Sequence, residues 1–195
     1  MTSEEFNYQF KIPKDRVAVV IGKEGQIKKE IEQETHSHID IDSKEGDVTV
    51  SGTDTLGLYT AREIVKAIGR GFNPEVARIL LKQDYVLDIL QMRDYIGKST
   101  SKMLRLKGRV IGEEGKTRKL VEEFTQTDIC VYGKTISIIG SPEKVAIARR
   151  AIESLLGGAT HSSVYKWLEK QRKKISMGEL EKDVDIKDEY KKYVE

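Results

Sequence analysis

The chain has 195 residues, with 34 Lys+Arg against 32 Asp+Glu, 38% hydrophobic residues, one cysteine and three histidines. That apolar content fills one large core or two small ones and excludes a disordered chain. A single Cys130 excludes an internal disulfide and a multi-cysteine zinc site. With no leader-like start and no stretch as long and apolar as a membrane span, a reducing, cytoplasmic setting without membrane contact is expected.

Taken in chain order, Tyr8–Ile12 reads as a strand, Lys14–Ile21 as a short helix, and Gly22–Gly25 as a tight loop. Gln26–Thr35 follows as a helix with Ile27 and Ile31 one turn apart. His38–Asp42 alternates Ile39 and Ile41 with polar residues, Lys44–Asp47 turns, and Val48 and Val50 alternate in a returning strand. Thr53-Asp54 can cap a helix carrying Leu56, Leu58, Ala61, Ile64, Val65 and Ile68, which Gly69 and Gly71 help to stop. Asn73–Lys82, with Val76, Ile79 and Leu80, reads as a connecting helix.

The same grammar then returns. An offset of 90 residues lays 19–32 (VVIGKEGQIKKEIE) on 109–122 (RVIGEEGKTRKLVE). Tyr85–Leu90 reads as a strand, Gly112–Gly115 as the loop, Lys116–Phe124 as a helix, and Ile129–Tyr132 with Thr135–Ile139 as a hairpin turned at Gly133. Ser141-Pro142 starts the next helix, with serine as the cap and proline at the first helical position. The stretch between the first strand of this second copy and its loop is about twice as long as in the first copy, so an insertion or a longer helix is expected there. Each copy is β-α-α-β-β-α. His161–Lys174, with five basic residues and one acid, reads as an extra helix whose Val164, Trp167 and Leu168 pack it back on the second copy. From Ile175 the chain is acidic and without periodicity.

The expected class is therefore α+β: two small domains, each a three-stranded antiparallel sheet with helices on one face, and a C-terminal helix. The expected units are residues 5–72, a connecting helix at 73–83, a second unit at 84–158 with an insertion before its loop, a basic helix at 159–174 and an acidic tail at 175–195.

Gly22-Lys23-Glu24-Gly25 and Gly112-Glu113-Glu114-Gly115 each stand between two short helices. Glycine at both ends permits unusual dihedrals and close backbone approach, and the following helix N-terminus suits phosphate. This duplicated GxxG loop in its β-α-α-β-β-α frame resembles the KH family, over roughly residues 8–156. The order is similar to the type I subclass, whose third helix follows the sheet. The resemblance is densest at 103–122 (MLRLKGRVIGEEGKTRKLVE), and there it is closest to archaeal and eukaryotic tandem-KH assembly factors of the small ribosomal subunit.

That resemblance implies a single-stranded RNA-binding protein of ribosome biogenesis acting near the 3′ end of small-subunit rRNA. It implies an rRNA-processing endonuclease as partner and admits a translation initiation factor as another. It also implies that Gly22 and Gly25, or Gly112 and Gly115, hold the RNA backbone. Ile21, Ile39 and Ile41, or Ile111, Ile129 and Val131, would wall the base groove. Basic neighbours supply the electrostatic attraction: Lys23, Lys28 and Lys29 in the first copy, and Lys107, Arg109, Lys116, Arg118 and Lys119 in the second. Residues 102–119 hold seven basic residues and two acids, against three lysines and two glutamates at 22–30, so the second copy is expected to lead in spite of Glu113 and Glu114.

Two other readings compete. In an adaptor partnering a translation or RNA-processing factor, the two glycine loops, whose Lys23, Glu24, Glu113 and Glu114 otherwise count among the RNA-binding residues, would contact protein instead of RNA. In a nucleotide hydrolase, Gly115-Lys116-Thr117 would end a phosphate loop, but that motif needs glycine where Val110 stands and a strand where a helix is expected. With no Ser/His/Asp constellation, paired-acid site or CxxC motif, no enzymatic activity, metal or cofactor is expected. His36 and His38 are read as surface histidines at the groove edge, and Cys130 as a core residue.

Overall fold

The computed structural model describes residues 6–96 and 99–176. The segment read as an acidic tail lies outside the described residues from residue 177, while Ile175 and Ser176 extend the last helix.

Strand β1 (Phe6–Lys11) leads through Pro13 into α1 (Lys14–Ile21), and after the first loop α2 (Gln26–Thr35) begins. Thr35 ends α2 by donating its hydroxyl to the Ile31 carbonyl at 2.6 Å, and His36 then turns the chain with φ 50°. β2 (His38–Ile41) and β3 (Asp47–Gly52) form the hairpin, and Asp54 caps α3 (Thr55–Gly69) by accepting the Leu56 N–H at 3.1 Å. The connection is a single helical turn, α4 (Pro74–Ala77), tightened into a 3₁₀ turn at Arg78–Leu81.

In the second copy, β4 (Val86–Gln91) is followed by α5 (Arg93–Ile96) and α6 (Thr100–Ile111), four residues longer than α1. The expected insertion is thus a short extra helix and one more turn. α7 (Lys116–Thr125) ends as α2 does: the Thr125 hydroxyl donates to the Val121 carbonyl at 2.7 Å and Gln126 has φ 52°. β5 (Asp128–Tyr132), β6 (Thr135–Gly140), α8 (Pro142–Leu156) and α9 (His161–Ser176) complete the chain. Ser141 occupies the cap position of α8, but its side chain makes no cap bond; its carbonyl takes the Val145 N–H at 2.9 Å.

The sheets are β1-β3-β2 and β4-β6-β5, antiparallel throughout, with β2 and β5 at open edges. Helices cover one face of each. The other face of the second sheet is covered by the first domain. Every residue of β6 is buried: Ile136 and Ile138 join Leu90, Val121 and Ile152, whereas Ile139 joins the first domain's core with Leu80 and Phe72. Burying a side chain such as Ile139 contributes about 2 kcal/mol, so the two domains support each other. Cys130 lies on this same face and is half-buried between the domains, not inside its own core.

Candidate nucleic-acid interface

The two loops have one geometry. Gly22 and Gly112 end α1 and α6 with φ 73° and 74°, Glu24 and Glu114 stand at φ 53° and 51°, and Gly25 and Gly115 both at 77°. Each loop closes with the second glycine N–H donating to the first glycine carbonyl at 3.3 Å. The two glycines are required for different reasons. A Cβ on Gly112 would collide with Thr117, and one on Gly22 with Ile27, so the first glycine lets the next helix pack close. A Cβ on Gly115 would meet nothing within 4 Å, so there the left-handed φ alone favours glycine, and the outside of the turn is open to a ligand.

The groove runs from this loop to the open edge strand. In the second domain Glu122, on α7, accepts the Ile129 N–H at 2.8 Å, and Arg118 donates both to Glu122 at 3.0 Å and to the Ile129 carbonyl at 3.0 Å. Both backbone groups of Ile129 therefore turn away from β6, and the two-residue repeat of a strand turns those of Val131 the same way. Val131 thus offers a donor and an acceptor on the groove edge, in the pattern a base edge needs. The first domain repeats half of this: Glu32 accepts the Ile39 N–H at 2.7 Å, with Lys28 at 3.8 Å and His38 Nδ1 at 3.1 Å, and Ile41 takes the place of Val131. Burial raises the Glu122 carboxyl above the ordinary carboxylate range in spite of its N–H and guanidinium partners, and burial raises Asp128 likewise.

Several expected site residues have other tasks. Ile39 and Ile129 are 0% and 2% exposed and belong to the cores, with their N–H groups taken by Glu32 and Glu122. Arg109 is spent inside the fold, donating from Nε to the Leu155 carbonyl at 3.1 Å and from Nη2 to the Ala159 carbonyl at 2.5 Å, which caps the C-terminus of α8. Arg118 is tied to the edge strand as described. Ile21, Ile41, Ile111 and Val131 are half-buried, as groove walls are. Among the described residues Lys107 and Lys119, which flank the second groove, make no ion pair, and Lys116 stands 3.9 Å from exposed Glu114. Lys23 and Lys29 are exposed beside the first loop. The cationic surface of the second domain therefore rests on its lysines and Arg105 more than on Arg109 and Arg118. Among the described residues no group of three or more His, Cys, Asp or Glu is placed to hold a metal, and no helix is long and apolar enough to cross a membrane.

Contacts that sequence reading did not find bring α9 to the loop. Tyr165 and Thr117 share a hydroxyl–hydroxyl hydrogen bond at 2.9 Å, and His161 Nε2 lies 2.9 Å from the Arg109 carbonyl. Further along, Arg172 approaches Glu123 at 3.9 Å, so α9 runs parallel to α7 and both begin at the loop. The spacing of Val164 and Leu168 signals that the helix packs, but not where.

Comparison with known proteins agrees with this geometry. Residues 86–173 match the eukaryotic-type KH-domain model (KH-domain type I) of the second PNO1 domain, and residues 7–67 match the general KH-domain model. The matched second segment takes in α9 as far as Lys173. The chain is 48% identical over 189 residues to a KH domain-containing protein of Methanocaldococcus jannaschii, covering 93% of this chain and 82% of that one. It is 33% identical over 116 residues to the pre-rRNA-processing protein PNO1 of Phaeosphaeria nodorum, covering 59% of this chain and 44% of that longer relative. A chain in the crystal structure of the a/eIF2alpha–aDim2p–rRNA complex from Pyrococcus horikoshii superposes with a TM-score of 0.82 at 46% identity, over 87% of this chain and 95% of that one.

Proposed function

We propose, since this chain belongs to the tandem KH-domain family that includes PNO1 and Dim2p, that it binds single-stranded small-subunit rRNA near its 3′ end and serves ribosome assembly without catalysing a reaction itself. The observation that carries this reading is the second groove: an open glycine turn at Gly115, a free strand edge at Val131, and around them lysines 107 and 119, which make no ion pair among the described residues. In this reading Gly112, Glu113, Glu114 and Gly115 meet the strand through main-chain groups, Ile111 and Val131 flank the bases, and Lys107, Lys116 and Lys119 meet phosphates. The first loop, Gly22 to Gly25, with Ile21, Ile41, Lys28 and Lys29, takes a subordinate part.

An rRNA-processing endonuclease is the proposed protein partner, and a translation initiation factor a second; the complex of a similar chain with rRNA and a/eIF2alpha supports the latter. Crosslinking the protein to RNA in its own cells and sequencing the sites tests the assignment. Sites concentrated at the 3′ end of small-subunit rRNA are expected; a spread over messenger RNA with no rRNA enrichment would overturn it.

A further inference from the structure

On the side of the second loop away from β5, α6, the GEEG turn and α9 enclose an open cleft of about 470 Å³, lined by Arg105, Gly108, Glu113, Lys116, His161 and Tyr165 among others. Two features of this cleft have no explanation in the fold. Arg105 is exposed and makes no hydrogen bond or ion pair among the described residues. Gly108 sits in the last turns of α6, where glycine is the least favourable residue after proline, yet a Cβ there would meet nothing within 4 Å. No packing demand keeps it small. A ligand that lies against the α6 backbone supplies one.

We propose that this cleft is a second nucleotide subsite, so that RNA held by the groove continues around the GEEG turn and places one further nucleotide between α6 and α9. Arg105 and Lys116 meet its phosphate, Gly108 leaves room for the sugar, and the base lies against the Tyr165 ring. His161 and Tyr165, with ring centroids 6.1 Å apart, form the aromatic side of the cleft. Glu113 is the one acid among these lining residues; it repels phosphate and accepts from a base amino group or a 2′-hydroxyl, which favours a nucleotide over a bare anion. The subsite rests on the RNA-binding reading above.

The test compares a tetranucleotide, which fills the groove alone, with an octanucleotide from the 3′ end of the organism's small-subunit rRNA, both bound to the full chain. Tyr165→Ala is expected to weaken the octanucleotide at least about fivefold and leave the tetranucleotide unchanged, whereas Tyr165→Phe, which keeps the ring and loses only the Thr117 bond, stays near wild type. Arg105→Gln is expected to lower the salt slope of octanucleotide binding by about one. Gly108→Ala is expected to raise Tm by about 2–4 °C while weakening the octanucleotide, opposite signs that a purely structural glycine would not give. Wild-type protein that binds both oligonucleotides with all three of Tyr165→Ala, Arg105→Gln and Gly108→Ala matching it overturns the subsite alone. Wild-type protein that binds neither overturns the RNA reading, and the subsite with it.

Discussion

Arg16 and Arg109 do the same work from different turns of equivalent helices. Arg16 donates to the carbonyls of Ile68 at 2.8 Å and Phe72 at 2.7 Å, capping α3, as Arg109 caps α8 through Leu155 and Ala159. Arg16 stands six residues before its loop glycine and Arg109 three, so the two do not align in the repeat. The fold keeps the interaction and lets its address move by one helical turn.

Arg109→Ala is therefore a stability variant. Two hydrogen bonds from a guanidinium to partly buried carbonyls contribute about 2 kcal/mol, and losing them lowers Tm by about 4–8 °C in a chain of this size. Because Arg109 also lines the cleft between α6 and α9, the RNA to use is the tetranucleotide that fills the groove alone, whose affinity measured well below Tm is expected to stay within about threefold of wild type. A full Tm with a large loss of affinity would return Arg109 to the RNA surface.

The contact between the domains has its own reporter. Gly71, at φ 101°, has room for no side chain: a Cβ would stand 2.7 Å from Tyr132 Cβ and 2.8 Å from Cys130 Sγ. Burial also pushes the Cys130 thiol up, so little thiolate is present at neutral pH. Slow alkylation of wild-type Cys130 by a maleimide, and clearly faster alkylation in Gly71→Ala, is the expected pair of results. Equal rates in the two proteins would mean that the interface tolerates the methyl group.

Acid should relieve one strain of the second domain. Burial alone raises Asp128, so between its unfolded value near 4 and its higher folded value the native state holds more protons than the unfolded chain. The stabilising contribution of the protonated form is complete below about pH 4 and is lost as pH rises through the folded pKa. Relative to wild type, Asp128→Asn is expected to gain stability as pH rises from about 4 through the raised folded pKa, measured by denaturant unfolding at fixed salt. A constant difference across that range would contradict the assignment.

Much of this was legible in the sequence because it is local. The repeat, both GxxG turns and the element order rest on glycines and apolar spacing within a few residues, and each lies where it was expected. The fate of the groove residues was not legible. Ile39 and Ile129 belong to hydrophobic stripes that fit a groove wall or a core equally, and only their burial under α2 and α7, with Glu32 and Glu122 taking their N–H groups, decides for the core. Arg109 read as one more cation in a basic run because its partners lie 46 and 50 residues away. One long-range feature did leave a signal: β6 carries isoleucine at 136, 138 and 139, apolar on both faces of a strand, which marks a sheet covered on two sides.

The most direct test of RNA binding through the second loop is a paired measurement with Gly115→Asp and Gly25→Asp. Both glycines lie at φ 77° with no close neighbour, so the two substitutions strain the backbone alike and differ only in the groove they enter. Affinity for a fluorescent single-stranded oligonucleotide of the small-subunit rRNA 3′ end would be read by anisotropy across a salt series. Gly115→Asp is expected to lose at least about tenfold, or about 1.4 kcal/mol, with Gly25→Asp within about threefold of wild type. The reverse pattern, with Gly25→Asp abolishing binding and Gly115→Asp leaving it intact, would contradict the account.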